Sequence, residues 1–270
     1  MEGMLDLAAY LERIGYRGPT EPTAETLRAL HRAHMFAVPF ENLDILLGRP
    51  ILCDVDRFLQ KIVNQRRGGF CYELNGAFAA LLTALGFGVA LLSARVARPD
   101  GTYGPEFDHL ALRVKVPGVA GDSSWLADVG FGDSFLEPLR LDPGLEQPQI
   151  GRVYRLSEGE GRIAVESLKG GPNAEWIKQY SFTLQPRQIG DFAAMCEYQQ
   201  TSPESYFTKQ RICSRATPRG RITLSDLKLI ETIDGHREER VLRGEEEWRA
   251  TLQDLFEIEI PGGQLRADSS

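Results

Sequence analysis

Arg66-Arg67-Gly68-Gly69-Phe70-Cys71-Tyr72-Glu73-Leu74-Asn75-Gly76-Ala77-Phe78 is the stretch on which the reading of this chain turns. Two glycines ahead of a helix cost conformational entropy unless the backbone must pass close to something there. After them Leu74, Phe78, Leu81, Leu82 and Leu85 recur at helical spacing until Gly86 ends the run. Cys71 is thereby placed in the first turn, where unpaired N–H groups and the positive end of the helix dipole favour thiolate over thiol. Cys53, Cys196 and Cys213 lack such flanks and read as small buried hydrophobes.

A chain of 270 residues can bury a substantial core and divide into two or three compact units. Its four cysteines show neither zinc spacing nor a secreted disulfide framework, which predicts free thiols, no metal and a cytoplasmic home. Met1 to Ala8 lacks a basic stretch followed by a long apolar one, so no signal peptide is expected, and no segment has the length of a membrane span. A net charge of −7 argues against a nucleic-acid partner. A small-molecule partner fits better, and an anionic one is allowed where local cations and backbone donors meet it.

Apolar periodicity predicts helices over Leu5–Ile14, Thr23–Phe36 with Thr23 as N-cap, Asp54–Val63 behind an Asp54 cap, and the Cys71 segment. Val38 to Leu43 reads as irregular. Beyond Gly88 the period becomes two, with strands expected over Val89–Val96, His109–Val116, Trp125–Val129, Arg152–Leu156, Arg162–Leu168 and Ile177–Leu184. A helix over Ile189–Tyr198 precedes strands Arg211–Thr217, Arg221–Leu224, Leu227–Thr232 and Glu239–Leu242, with Asp234-Gly235 as a hairpin turn. A closing helix spans Glu245–Phe256, and Gly262 to Ser270 is expected to be mobile.

A cysteine nucleophile needs a base and a group that orients the base. Of four histidines, His31 and His34 lie on a polar-looking helix and His236 follows a turn, so these read as surface residues. His109 opens a strand beside a loop. Asp128 lies on the strand expected to pair with it, within reach of the imidazole across a hairpin.

Four motifs together resemble the arylamine N-acetyltransferase family. Arg67-Gly68-Gly69-Phe70-Cys71-Tyr72-Glu73-Leu74-Asn75 is similar to its cysteine motif and Asp128-Val129-Gly130-Phe131-Gly132 to its aspartate motif. Pro39-Phe40-Glu41-Asn42-Leu43 is similar to its N-terminal signature, and Gln200-Thr201-Ser202-Pro203 with Ser205 and Phe207 to a fourth element. The resemblance implies an α+β fold with a cysteine-protease-like catalytic core: a helical bundle over 1–87 carrying Cys71, an antiparallel β-barrel over 88–185 carrying His109 and Asp128, and an α/β lid over 186–270. It also implies a Cys71–His109–Asp128 triad that takes an acetyl group from acetyl-CoA, as co-substrate, and passes it to an arylamine, hydrazine or arylhydroxylamine. Phe131, Phe207, Val96 and Gly132 match positions lining the pocket, while Glu41 and Arg67 match a structural ion pair. A monomer or homodimer is implied, with no membrane or nucleic-acid partner.

Two departures stand out. The segment between His109 and Asp128 is longer than in many relatives, read as an extended loop over Val116–Ser123, and Glu204 replaces a small hydroxyl residue, so no CoA contact is assigned there. Ordinary core packing competes with the pocket role of Phe131, Phe207 and Val96. An amide synthase or longer-chain acyltransferase on the same fold, or a Cys-His-Asp thiol hydrolase, stays open as an alternative.

Overall fold

The computed structural model describes residues 5–118, 124–169 and 175–260. The first segment is helical: α1 (Leu7–Arg13), α2 (Ala24–Ala37), α3 (Leu43–Leu46), α4 (Val55–Leu59) and α5 (Cys71–Ala84), with a two-residue strand, β1 (Phe40–Glu41), after α2. The caps act as the sequence predicts. Thr23 accepts from Thr26 N–H and Asp54 from Arg57 N–H, satisfying first-turn donors that would otherwise go unpaired. The α4 helix runs into one π turn, Gln60–Asn64, in which both Lys61 and Ile62 are buried.

Eight strands then make an antiparallel sheet curled into a barrel: β2 (Gly88–Val96), β3 (His109–Lys115), β4 (Ser124–Ala127), β5 (Leu139–Arg140), β6 (Gln147–Gln149), β7 (Arg152–Gly159), β8 (Arg162–Lys169) and β9 (Trp176–Arg187). Their order is β5-β4-β3-β2-β9-β8-β7-β6. Two glutamine side chains bridge the outermost strands. Gln147 accepts from Arg140 N–H at 2.7 Å and donates to Arg140 C=O at 3.1 Å. Gln149 accepts from the N–H groups of Leu136 and Glu137 and donates to Glu137 C=O. Each carboxamide stands in for a peptide group, giving the seam the donors and acceptors a strand ladder would supply.

The last segment carries α6 (Ala193–Thr201), β10 (Ile212–Thr217), β11 (Gly220–Ser225), β12 (Lys228–Ile233), β13 (His236–Val241) and α7 (Glu245–Phe256). Its sheet is ordered β1-β10-β11-β12-β13, so an N-terminal strand forms one edge. Phe40 pairs with Ser214 and Glu41 with Cys213. The stretch read as irregular, Val38 to Leu43, is therefore a strand followed by a helical turn; its pairing partner is too distant to leave a local pattern.

Two histidines are corrected. His31 and His34 are fully buried rather than on the surface, and His236 alone is exposed. Leu27, Leu30, His31 and His34 form one stripe of α2 at helical spacing, and the imidazoles pack as core aromatics. His31 stacks on Phe135 and meets Phe78 edge-on, and His34 lies between Phe78 and Tyr10. Cys196 and Cys213 are buried, whereas Cys53 is only half-buried. The loop read over Val116–Ser123 and the tail after Gly262 lie mostly or wholly outside the described residues.

Candidate active site

The approach of residues 66–70 to α5 is set by close backbone packing. A Cβ on Gly68 would come within 2.0 Å of Pro39 C=O, and Glu41 N–H donates to Gly69 C=O at 2.9 Å. Glycine is therefore required where β1 crosses the entry to the helix. Glu73, in the first turn, accepts from Phe70 N–H at 3.1 Å, one half of a capping box. Cys71 is the first helical residue, 4% exposed, on the wall of a cavity of about 1170 Å³.

Three side chains from three elements converge there. His109, the first residue of β3, directs Nε2 to Asp128 Oδ2 at 2.7 Å, and its ring lies beside Cys71, where it pulls the thiol pKa down. With Nε2 engaged by the carboxylate, Nδ1 is the nitrogen left for the sulfur. Asp128 lies just beyond β4, whose register against β3 ends at the pair Leu112 and Ala127, so the hairpin delivers it beside His109. Phe131 and Tyr180 flank the imidazole at ring distances of 5.2 and 5.1 Å.

Asn75, one turn along α5, clamps the assembly. Its amide nitrogen donates to Leu110 C=O at 2.6 Å and to Asp128 Oδ1 at 2.9 Å, and its oxygen accepts from Val129 N–H at 2.9 Å. Gly130 N–H also donates to Asp128 Oδ1. A Cβ on Gly130 would meet Asn75 Nδ2 at 2.7 Å and Cys71 Cα at 2.8 Å, so only glycine lets this loop lie across the first turn of α5.

The charges follow from these contacts. Burial disfavours the imidazolium, but the charge and hydrogen bond of Asp128, with the neighbouring sulfur, push His109 up to about 10. Burial likewise opposes the Asp128 carboxylate, which His109, Asn75 and Gly130 N–H nevertheless hold below its ordinary value. Burial pushes the Cys71 thiol up, against the pull of His109 and Leu110 N–H. The thiolate expected from the helix end is thus opposed by desolvation, a factor the sequence did not reveal. It depends on the imidazolium beside it and on the positive end of α5.

Beneath the site, Glu41 and Arg67 do form an ion pair, with Nη2 to Oε1 at 2.7 Å, inside a larger buried network. Arg67 also reaches Asp44 at 3.2 Å, and Lys61 reaches Glu73 at 2.8 Å and Asp44 at 2.9 Å. Three carboxylates face two buried cations, with the half-exposed Arg49 3.8 Å from Asp44. Burial and the other carboxylates push Glu73 up to about 7 despite Lys61. Lys61, Asp44 and Glu73 were not singled out from sequence; the π turn that turns Lys61 inward leaves no signature in an amphipathic pattern.

Phe131, Phe207, Val96 and Gly132 all line the cavity with Cys71 and His109. Glu204 lines it too. Asn42 fixes the wall containing Phe207, donating to the carbonyls of Phe207 and Gln210 and accepting from Ile212 N–H. Gln200 bonds both backbone groups of Ile51, tying α6 to the N-terminal segment. Among the described residues no cluster of three or more His, Cys, Asp or Glu side chains could hold a metal ion, and no helix is long and apolar enough to cross a membrane.

The fold that carries this buried Cys–His–Asp constellation is shared with solved proteins. The chain superposes on the Mycobacterium marinum arylamine N-acetyltransferase in complex with CoA with a TM-score of 0.86 and 34% identity, covering 94% of this chain and 93% of that one. For the Nocardia farcinica arylamine N-acetyltransferase the TM-score is 0.85 and the identity 39%, over 96% and 91%. A curated chicken relative, the pineal gland arylamine N-acetyltransferase isozyme NAT-10, is 34% identical over 95% of each chain. The N-acetyltransferase family model matches residues 23–265. With whole-chain similarity and fold in agreement, the chain belongs to the arylamine N-acetyltransferase family of acyltransferases.

Proposed function

We propose that this chain transfers an acetyl group from acetyl-CoA to the nitrogen of an arylamine or hydrazine, or to an arylhydroxylamine, through an acetyl thioester on Cys71. The observation that carries this reading is the hydrogen-bonded pair His109–Asp128 beside Cys71 on the wall of a cavity large enough for two small substrates in turn. The family relationship and the CoA complex of the M. marinum relative support the choice of donor.

The Cys71 sulfur attacks the thioester carbonyl while its proton resides on His109 Nδ1, the imidazolium held by Asp128. The tetrahedral oxyanion is met by backbone N–H groups at the open end of α5, including that of Cys71. Collapse expels CoA as thiol, which takes its proton from His109. This exchange of one thioester for another is nearly balanced in energy. An arylamine is neutral at pH 7, so its lone pair attacks acetyl-Cys71 while His109 accepts the amine proton, and the product amide is more stable than the thioester. Glu41 and Arg67 act as scaffold under the helix start. On the same reading 1–87, 88–185 and 186–270 are the three units of the chain, which works in the cytoplasm.

Mass spectrometry of the protein mixed with acetyl-CoA tests this. One acetyl group is expected on the Cys71 peptide, lost when an aminobenzoate or a hydrazide is added, with double-reciprocal plots that are parallel. Loss at the same rate without amine, releasing acetate, identifies a hydrolase. Amide formation with no adduct at any time rules out covalent transfer.

A further inference from the structure

Three successive backbone N–H groups, those of Asp128, Val129 and Gly130, lie past the end of β4 and have no ladder partner. Side chains take all three. Val129 goes to Asn75 and Gly130 to Asp128 itself, while Asp128 N–H donates to His31 Nε2 at 3.1 Å. The other ring nitrogen, Nδ1, lies 2.9 Å from Leu136 C=O. An N–H can only donate and a carbonyl can only accept, so the two partners fix the tautomer: Nδ1 carries the proton and Nε2 is bare.

From this geometry we infer that His31 is a positioning residue for the acyl-transfer site, a neutral Nδ1–H imidazole that joins the two ends of the 128–136 loop and holds the Asp128 carboxylate on His109. The loop between those ends contains Gly130, Phe131 and Gly132, which line the cavity. Leu136 is held from both sides, its carbonyl by His31 and its N–H by Gln149 of the barrel seam. His31 is itself clamped by Phe135 and Phe78 and has no exposed surface. The titratable groups facing it are Asp128 and, from its own helix, His34. Burial keeps it neutral, pushing it down to about 4 although Leu136 C=O and Asp128 favour the charged form. A protonated ring would aim a second donor at Asp128 N–H and lose that bond.

The inference rests on the reading of Asp128 as the group that orients His109. The experiment compares the parent with His31→Phe, which keeps a flat ring but neither polar partner, and His31→Gln, which offers one donor and one acceptor. Single-turnover acetylation of Cys71 by acetyl-CoA is followed by mass spectrometry, and the pH profile of Cys71 alkylation is recorded for each. If the parent forms no adduct, the functional reading fails, and the comparison is not reached. With an adduct in the parent, His31→Phe is expected to acetylate about 10- to 100-fold more slowly, with its alkylation profile shifted to higher pH, because the carboxylate no longer fixes the imidazolium. His31→Gln is expected to recover most of the rate and the parent profile. Equal rates and profiles in the parent and a folded His31→Phe overturn the assignment, as does His31→Gln no better than His31→Phe. Should His31→Phe not fold, nitrogen-15 NMR of the parent decides: a His31 ring protonated only at Nδ1 from pH 5 to 8 is expected, and an Nε2–H ring refutes it.

Discussion

The carboxamide of Asn75 and the carboxylate of Asp128 meet at 2.9 Å, with the amide nitrogen donating to the oxygen that does not touch His109. The two Asp128 oxygens therefore have separate duties. One accepts from Asn75 and Gly130 N–H, and the other from the imidazole.

Replacing Asp128 with Asn is accordingly a test with a defined geometry. The amide oxygen is drawn to the two donors, Asn75 and Gly130, which leaves its NH2 facing His109 Nε2. That nitrogen must then be bare and Nδ1 protonated, so the ring cannot take a proton from Cys71. We expect kcat/KM for acetyl transfer to fall by roughly 10³- to 10⁴-fold with an unaltered circular dichroism spectrum. A folded variant with near-parent turnover would show that another group orients His109.

Thiol labelling separates the four cysteines. Cys196 and Cys213 are 1% exposed and should resist iodoacetamide, whereas Cys53 is half-buried and Cys71 opens onto the cavity. The neighbouring Cys196 also lowers the Cys53 thiol, so Cys53 and Cys71 should both react. Only Cys71 should be protected by acetyl-CoA, as measured by peptide mapping of labelled protein. Equal protection at Cys53, or none at Cys71, would contradict the placement of the donor.

Arg67→Met removes one of two cations from a buried network of three carboxylates. It should cost about 3 to 5 kcal/mol of stability by urea denaturation, because Glu41 is left without its guanidinium. A loss under 1 kcal/mol would mean that Lys61 alone neutralises the network.

The alkaline limb of stability follows from His109. Its pKa is raised from 6.5 unfolded to about 10 folded, so the native state holds the proton more tightly. The stabilisation is complete below pH 6.5 and is lost as pH rises through about 10. The raised Cys71 thiol adds a loss of the same sign above its ordinary value of 9.0. The unfolding free energy, measured by urea denaturation, should decline between pH 7 and 10, by at most about 1.4 kcal/mol per pH unit for the His109 proton, and more gently in His109→Gln. An identical decline in that variant would assign it to other groups.

Local patterns made much of this fold legible. The α5 start, the Thr23 and Asp54 caps, the β3–β4 hairpin and α7 all have periodic or capping signatures, and the structure brings Cys71, His109 and Asp128 together as the hairpin reading expects. What escaped is tertiary. The two-residue strands β1 and β5 are too short for periodicity, and Gln147 and Gln149 look like ordinary polar residues until the opposite edge of the barrel is beside them. A polar residue on a helix stripe signals solvent unless its surroundings are known: for His31 these include a loop more than ninety residues away, and for His34 the rings of Phe78 and Tyr10.

The pairing of β1 with β10 has a consequence for how the protein is made. Asn42 holds residues 207 to 212 by bonds spanning 165 to 170 positions of sequence, and the same few residues rest on Gly69 at the entry to α5. On a translating ribosome, the cysteine helix emerges well before the segment that walls its cavity. Contacts of such long range form late, after the local helices and hairpins. A nascent chain therefore carries the Cys71 thiol without its pocket, and the site is completed only after residues 207 to 212 have emerged.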